Sequence, residues 1–129
     1  MELFGDADRS QKLTAGDLEA MAEAAWFAGL GDRSIETKER AFKAYQSAGD
    51  PIRAGALGLR LVELYSYRGK PSISAAWMRR AEKLLDGVPE SHAHGYLAIT
   101  RAFFARASGD LETAVKLAES GLDIGQRTG

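Results

Sequence analysis

The sequence contains no cysteine and no apolar run long enough to cross a membrane. The first absence excludes a disulfide framework, a thiolate zinc site and a cysteine nucleophile. The second, with the lack of a cationic start and apolar stretch in residues 1–12, leads us to expect a cytoplasmic protein without a membrane partner. Because 17 basic residues balance 18 acidic ones, charge does not predict direct binding to nucleic acid.

Proline is also scarce, and its placement favours an all-α fold. The three prolines, Pro51, Pro71 and Pro89, lie at the edges of apolar segments with helical spacing and interrupt none of them. Alternation of the kind found in strands is nowhere sustained. A capping box at Thr14 and Asp17 marks the first helix start. The sequence therefore predicts six helices, near residues 15–28, 33–47, 51–67, 72–86, 91–107 and 111–126.

Glycine, by contrast, is abundant and recurs with a period. Gly29, Gly69 and Gly109 are each 40 residues apart and lie between the two helices of a pair. Small residues follow them at fixed distances in the second helix of each pair: Ser34, Ser74 and Ala114, then Ala41, Ala81 and Gly121. Such glycines can supply a left-handed turn, and small residues let helices cross closely.

A helix pair of this kind cannot bury its own apolar face, so neighbouring pairs are expected to stack. We interpret residues 14–129 as three repeats, over about 14–49, 50–89 and 90–129. Residues 1–13 then form an N-terminal overhang that could be the end of a preceding repeat helix.

The pattern of a turn glycine, a small residue and a second small residue seven positions later resembles the tetratricopeptide repeat. Residues 108–114 (SGDLETA) are the most similar stretch. The resemblance implies a right-handed superhelix of three antiparallel helix pairs, an α-α solenoid, whose first helices line a concave face.

A narrower resemblance covers residues 7–9, 13–27 (LTAGDLEAMAEAAWF), 38–50 and parts of 69–82. These stretches are similar to the helical repeat region of bacterial LuxR-type transcription regulators and adenylate-cyclase-like signalling proteins. The resemblance implies a non-catalytic protein–protein interaction or regulatory scaffold module in such a system. It transfers neither DNA binding nor cyclase activity to these residues.

The implied concave face carries aromatic and charged residues suited to holding a peptide or helix. Repeat proteins that hold acidic peptide C-termini use Lys and Asn there, whereas this chain has glutamates, so a basic or apolar partner is expected. Leu59 and Ile99 are also placed on this face, and Trp26, Phe27 and Phe103 could instead pack in the core. The candidate partner-binding residues are Glu19, Glu23, Trp26, Phe27, Arg60, Glu63, Tyr67, Tyr96, Phe103 and Arg106.

No pattern of residues predicts catalysis, a cofactor or a metal site. His92 and His94 are interpreted as a solvated helix start, and Gly55 and Gly58 as close helix packing rather than nucleotide binding. Basic residues of the second helices, Lys38 among them, alternate with glutamates and are expected on a solvated face.

Two other functions stay open. The apolar side of the last pair, with Val115, Leu117 and Leu122, could support a homodimer through a chain end. Alternatively, the aromatic concave face could enclose a small ligand, which would require an apolar pocket.

Overall fold

The computed structural model describes residues 13–128, which form six α-helices and no strand. The predicted all-α class and its six helices are confirmed, with every helix end within two residues of the prediction. The predicted overhang lies outside the described residues except for Leu13. The helices are α1 (Ala15–Phe27), α2 (Gly31–Ser47), α3 (Pro51–Tyr67), α4 (Pro71–Leu85), α5 (His92–Ala107) and α6 (Leu111–Thr128).

The start of α1 is fixed by its own side chains. The Asp17 amide donates to the Thr14 hydroxyl at 3.1 Å, and the Thr14 amide donates to the Asp17 carboxylate at 3.1 Å. These reciprocal bonds form the predicted capping box and satisfy two backbone donors that the helix itself leaves without partners.

The turns within the helix pairs share one geometry. Gly29, Gly69 and Gly109 have φ values of 81°, 70° and 87°, in the left-handed region that favours glycine. Each donates its amide to the carbonyl three residues earlier, at 3.0 to 3.1 Å. Because the glycine itself permits this left-handed conformation, the same turn forms at each of the three glycines spaced 40 residues apart.

The described residues fall into two compact units, residues 13–50 and 51–128. In the first unit, α1 and α2 pack as an antiparallel pair. The Ser34 hydroxyl contacts the Ala22 carbonyl near the turn, and the Tyr45 hydroxyl contacts Glu19 at the far end.

The second unit contains two such pairs, α3 with α4 and α5 with α6, and α5 also packs against both α3 and α4. Its central cluster joins three helices through Leu59, Ala81, Leu85, Ala93 and Leu97. The predicted surface position of Leu59 is therefore wrong, because Leu59 is fully buried in the cluster to which α5 contributes.

A side-chain hydrogen bond repeats with the turns. The Ser34 hydroxyl donates to the Ala22 carbonyl at 2.7 Å, and the Ser74 hydroxyl donates to the Val62 carbonyl at 2.8 Å. Both bonds are buried and span 12 residues. Ala114 holds the third position without a hydroxyl. The small residue at this register position thus ties the two helices of a pair together in the first two repeats.

Glycines also permit the close crossings of helices in the second unit. A Cβ added to Gly121 would lie 2.8 Å from the Ile99 side chain and 3.0 Å from the Gly95 carbonyl oxygen. A Cβ on Gly55 would lie 2.8 Å from Leu85. The interpretation of Gly55 as a packing residue is confirmed by this contact.

Candidate partner-binding surfaces

A small groove lies between α3 and α5 in the second unit. Its volume is about 160 Å³. Four residues of α3 form one wall and four residues of α5 the other: Val62, Glu63, Ser66, Tyr67, Ile99, Thr100, Phe103 and Phe104. We name this the α3–α5 groove.

Aromatic rings at the α3–α5 groove are open to solvent. Tyr67 is 79% exposed and Phe103 48% exposed, and Phe103 meets Phe104 edge to face with ring centroids 5.6 Å apart. The Thr100 hydroxyl donates to the Tyr96 carbonyl at 2.8 Å, so its hydrogen-bonding capacity is partly used within α5. The groove therefore offers mainly apolar and aromatic contacts.

A polar network fixes one edge of this groove. The Tyr96 hydroxyl donates to Glu63 Oε1 at 2.8 Å, and Arg60 donates to Glu63 Oε2 at 3.0 Å. Burial raises the pKa of Tyr96, and the bond to the Glu63 carboxylate raises it further. Both oxygens of Glu63 thus have protein partners, and the phenol is held in its neutral form.

The candidate residues of the first unit form contacts of their own. The Tyr45 hydroxyl donates to Glu19 Oε1 at 2.6 Å, which joins the end of α2 to the beginning of α1. Phe27 is 85% exposed in the last turn of α1. Trp26 is 43% exposed and, like Phe103, lies partly on the surface.

Lys38 is the centre of a second cluster in this unit, and its expected place on a solvated face is wrong. The residue is only 2% exposed. Its Nζ donates to the Ser34 hydroxyl at 2.8 Å, lies 3.3 Å from Glu23 Oε1 and stands 6.0 Å from the centre of the Trp26 ring. The alternation of basic and acidic residues along α2 did not predict this burial. That pattern describes only the sequence neighbours of Lys38, whereas its partners Glu23 and Trp26 lie on α1.

The structure thus brings together five candidate residues in the second unit. Glu63, Tyr67 and Phe103 line the α3–α5 groove, while Arg60 and Tyr96 bind Glu63. Arg106 is exposed in the last turn of α5 and does not line the groove.

The candidate set omitted Val62, Ser66, Thr100 and Phe104, which line the same groove. The 40-residue register places equivalent positions on equivalent faces. In the α3–α5 groove, however, the two helices face each other through different sides, so the lining residues of α3 and α5 do not all occupy equivalent positions. The adjacent aromatic pair at residues 103–104 was the one available signal for this region.

The histidines have different environments. His92 is exposed, as expected of a solvated helix start, but His94 is half-buried. His94 Nδ1 accepts from the Ser91 amide at 3.0 Å, so its Nε2–H donates to the Leu85 carbonyl at 2.9 Å. Both ring nitrogens of His94 therefore have protein partners. Within residues 13–128 no three carboxylate or imidazole side chains converge on one point.

His94 borders an open depression of about 730 Å³ where α4 leads into α5. Its lining mixes acidic and basic groups, and Arg101 is ion-paired with Glu82 across the two helices. The charges of opposite sign and the open shape distinguish it from the apolar α3–α5 groove.

Over the described span, every helix is too short or too polar to cross a bilayer. No protein-family model matches the chain, and no curated protein or solved structure matches it at a significant level.

Proposed function

We propose that this chain is a non-catalytic protein-interaction module that holds one apolar side chain of a peptide or helix in the α3–α5 groove. The observation that carries the proposal is the solvent-exposed aromatic rim formed by Tyr67 and Phe103. Large aromatic side chains give much contact area at low entropic cost and are frequent anchors of protein interfaces.

The size of the groove favours a peptide anchor over a small ligand. Pockets for drug-sized molecules enclose about 300 to 1,000 Å³, whereas the α3–α5 groove encloses about 160 Å³. A cavity of about 150 Å³ holds one benzene-sized group. The groove therefore suits a single aromatic or branched aliphatic side chain.

The charged residues at the edge of the groove also restrict which partner can bind. Glu63 already binds Arg60 and Tyr96, so it offers little attraction to a cationic ligand. A carboxylate brought beside Glu63 would still meet a negative group, which disfavours an acidic partner. The partner we infer is apolar at its anchor and free of acidic residues beside it.

The fold and context belong to the same proposal. We infer a tetratricopeptide-like stack of three helix pairs that acts as a regulatory scaffold in a bacterial signalling or transcription-regulatory system. The turn geometry repeated at 40 residues supports the helical repeat. Two polar residues of the groove, Thr100 and Glu63, already have hydrogen-bond partners, which supports binding rather than catalysis.

Selection of peptides from a random display library against the purified full chain tests this proposal. We expect the recovered peptides to share one aromatic or branched aliphatic residue without acidic neighbours. Replacing Tyr67 and Phe103 together by alanine is expected to weaken binding of these peptides at least about tenfold, since burial of an apolar side chain of this size contributes about 1.5 to 3 kcal/mol.

Phe27→Ala is the matched control, because Phe27 is an exposed aromatic residue in the other unit. It should leave the affinity unchanged. Peptides without a shared apolar residue, or peptides that bind the double variant as tightly as the original chain, would overturn the proposal.

A further inference from the structure

The wall of the α3–α5 groove contains a half-buried hydroxyl, that of Ser66, which has no hydrogen-bond partner among residues 13–128. Every fully buried side-chain oxygen or nitrogen in that span does have a partner, so the Ser66 oxygen is open to solvent within the groove. Two other polar residues of the groove, Glu63 and Thr100, are instead bonded to Tyr96. Ser66 therefore differs from them, because its hydroxyl is available to a ligand.

The contact between α3 and α4 explains why this hydroxyl is available. A serine or threonine inside a helix commonly donates to the carbonyl four residues earlier, as Thr100 does to the Tyr96 carbonyl at 2.8 Å. For Ser66 that acceptor is the Val62 carbonyl, which already accepts the Ser74 hydroxyl of α4 at 2.8 Å. The helical amide bond uses the second lone pair of this carbonyl. The repeated serine bond thus leaves the Ser66 hydroxyl without its usual acceptor.

A ligand that fills the groove covers this hydroxyl. The groove encloses only about 160 Å³, so a ring inserted into it lies against both helical walls. A purely apolar ring would take water away from Ser66 and leave the hydroxyl without a partner, which costs free energy. A ligand with a hydrogen-bonding group at this point would replace the displaced water.

The rest of the lining decides which polar ligand fits. Val62 is apolar, and Phe103 and Phe104 add two aromatic rings, so a small polar side chain would leave these surfaces without contacts. An acidic side chain is disfavoured by Glu63. We propose that the partner inserts a tyrosine side chain, whose ring packs on the apolar walls and whose hydroxyl bonds to Ser66 Oγ. This inference rests on the proposed function and narrows its anchor to one residue type.

Titration calorimetry of the full chain with three peptides tests the proposal. The peptides share the sequence of one binder from the display library and carry tyrosine, phenylalanine or leucine at the anchor position. We expect the tyrosine peptide to bind roughly fivefold more tightly than the phenylalanine peptide, which is the usual effect of one hydrogen bond.

Ser66→Ala should remove this preference. The tyrosine peptide should lose its advantage of roughly fivefold, whereas the phenylalanine peptide should bind as tightly as before or slightly more so, because its ring no longer covers an unpaired hydroxyl. Alanine is well suited to a helix, so circular dichroism should report an intact fold. Ser120→Ala is the matched control, since Ser120 is exposed on α6 outside the groove, and it should keep the preference.

Equal binding of the tyrosine and phenylalanine peptides would overturn the proposal, as would tighter binding of the leucine peptide or a preference that survives Ser66→Ala. Each of these results would leave the apolar anchor of the proposed function intact. Peptide binding that is insensitive to the loss of Tyr67 and Phe103 would instead overturn both, so the two failures can be told apart.

Discussion

The Tyr96 hydroxyl on α5 donates a hydrogen bond of 2.8 Å to Glu63 Oε1 on α3, 33 residues earlier in the chain. Glu63 also lines the α3–α5 groove, and Arg60 holds its second oxygen. The same contact therefore joins two helix pairs and orients a side chain of the candidate binding surface.

Replacing Tyr96 by phenylalanine should lower the free energy of unfolding at neutral pH by about 1 kcal/mol, the usual contribution of one hydrogen bond. In the folded chain the pKa of Tyr96 is raised by burial and by Glu63. The stabilisation from the neutral phenol is therefore complete below the ordinary tyrosine pKa of about 10. It is lost as the pH rises from there through the folded-state pKa.

Urea unfolding of both proteins at neutral and alkaline pH measures this effect. The stability difference between the original chain and Tyr96→Phe should shrink at alkaline pH. A difference that stays constant through the alkaline range would contradict the assigned bond.

Two glycines one turn apart in α6 should respond oppositely to alanine. Gly121→Ala should destabilise the fold by about 1 to 3 kcal/mol, because its Cβ would press on Ile99 and the Gly95 carbonyl. Gly125→Ala meets nothing within 4 Å and should stabilise the helix by up to about 1 kcal/mol. Thermal unfolding of the two variants decides the matter, and equal responses would exclude a close crossing of α5 and α6 at Gly121.

The repeated serine bond gives a third comparison. Ser74→Ala removes the bond to the Val62 carbonyl and should cost about 1 kcal/mol. Ser34→Ala should cost more, because Ser34 also accepts a hydrogen bond from the buried Lys38 Nζ. Denaturant unfolding of both single variants provides the measurement. If Ser34→Ala were the milder change, the Lys38 contact would contribute nothing to stability.

The helices and turns could be predicted from the sequence because their causes are local. A capping box at Thr14, prolines at helix starts and a left-handed glycine such as Gly69 act within a few residues of the chain. The α3–α5 groove depends instead on how α5 rotates against α3. In the folded chain Leu59 is buried and Phe104 lines the groove, whereas the shared register predicts Leu59 on the concave surface and does not select Phe104.

Long-range polar contacts were hidden for the same reason. Lys38 has glutamates beside it in α2, so its sequence neighbours indicate a solvated residue. Its actual partners, Glu23 and Trp26, lie on α1. Likewise, the small size of Ser34 was predicted to matter, but the carbonyl that its hydroxyl reaches could not be identified from spacing alone.

The two members of the Lys38–Glu23 ion pair should differ in the cost of their removal. Lys38 is buried, whereas the Glu23 side chain is 49% exposed. Lys38→Met introduces methionine, the residue found at the equivalent position 78 of the next repeat. The variant leaves the carboxylate of Glu23 without its partner, but water can solvate this exposed group. We expect this variant to be as stable as the original chain or slightly more so, because replacing a buried charge by an apolar side chain of similar shape is often neutral or stabilising.

Glu23→Gln, in contrast, leaves the buried ammonium of Lys38 without its carboxylate and should destabilise the fold by about 1 to 3 kcal/mol. Lys43→Met is the control, since Lys43 is exposed on the same helix and its replacement should change stability by less than about 0.5 kcal/mol. Urea unfolding at constant ionic strength compares the three variants. A larger loss for Lys38→Met than for Glu23→Gln would mean that the lysine stabilises the pair of helices through its charge, and the burial argument would then fail.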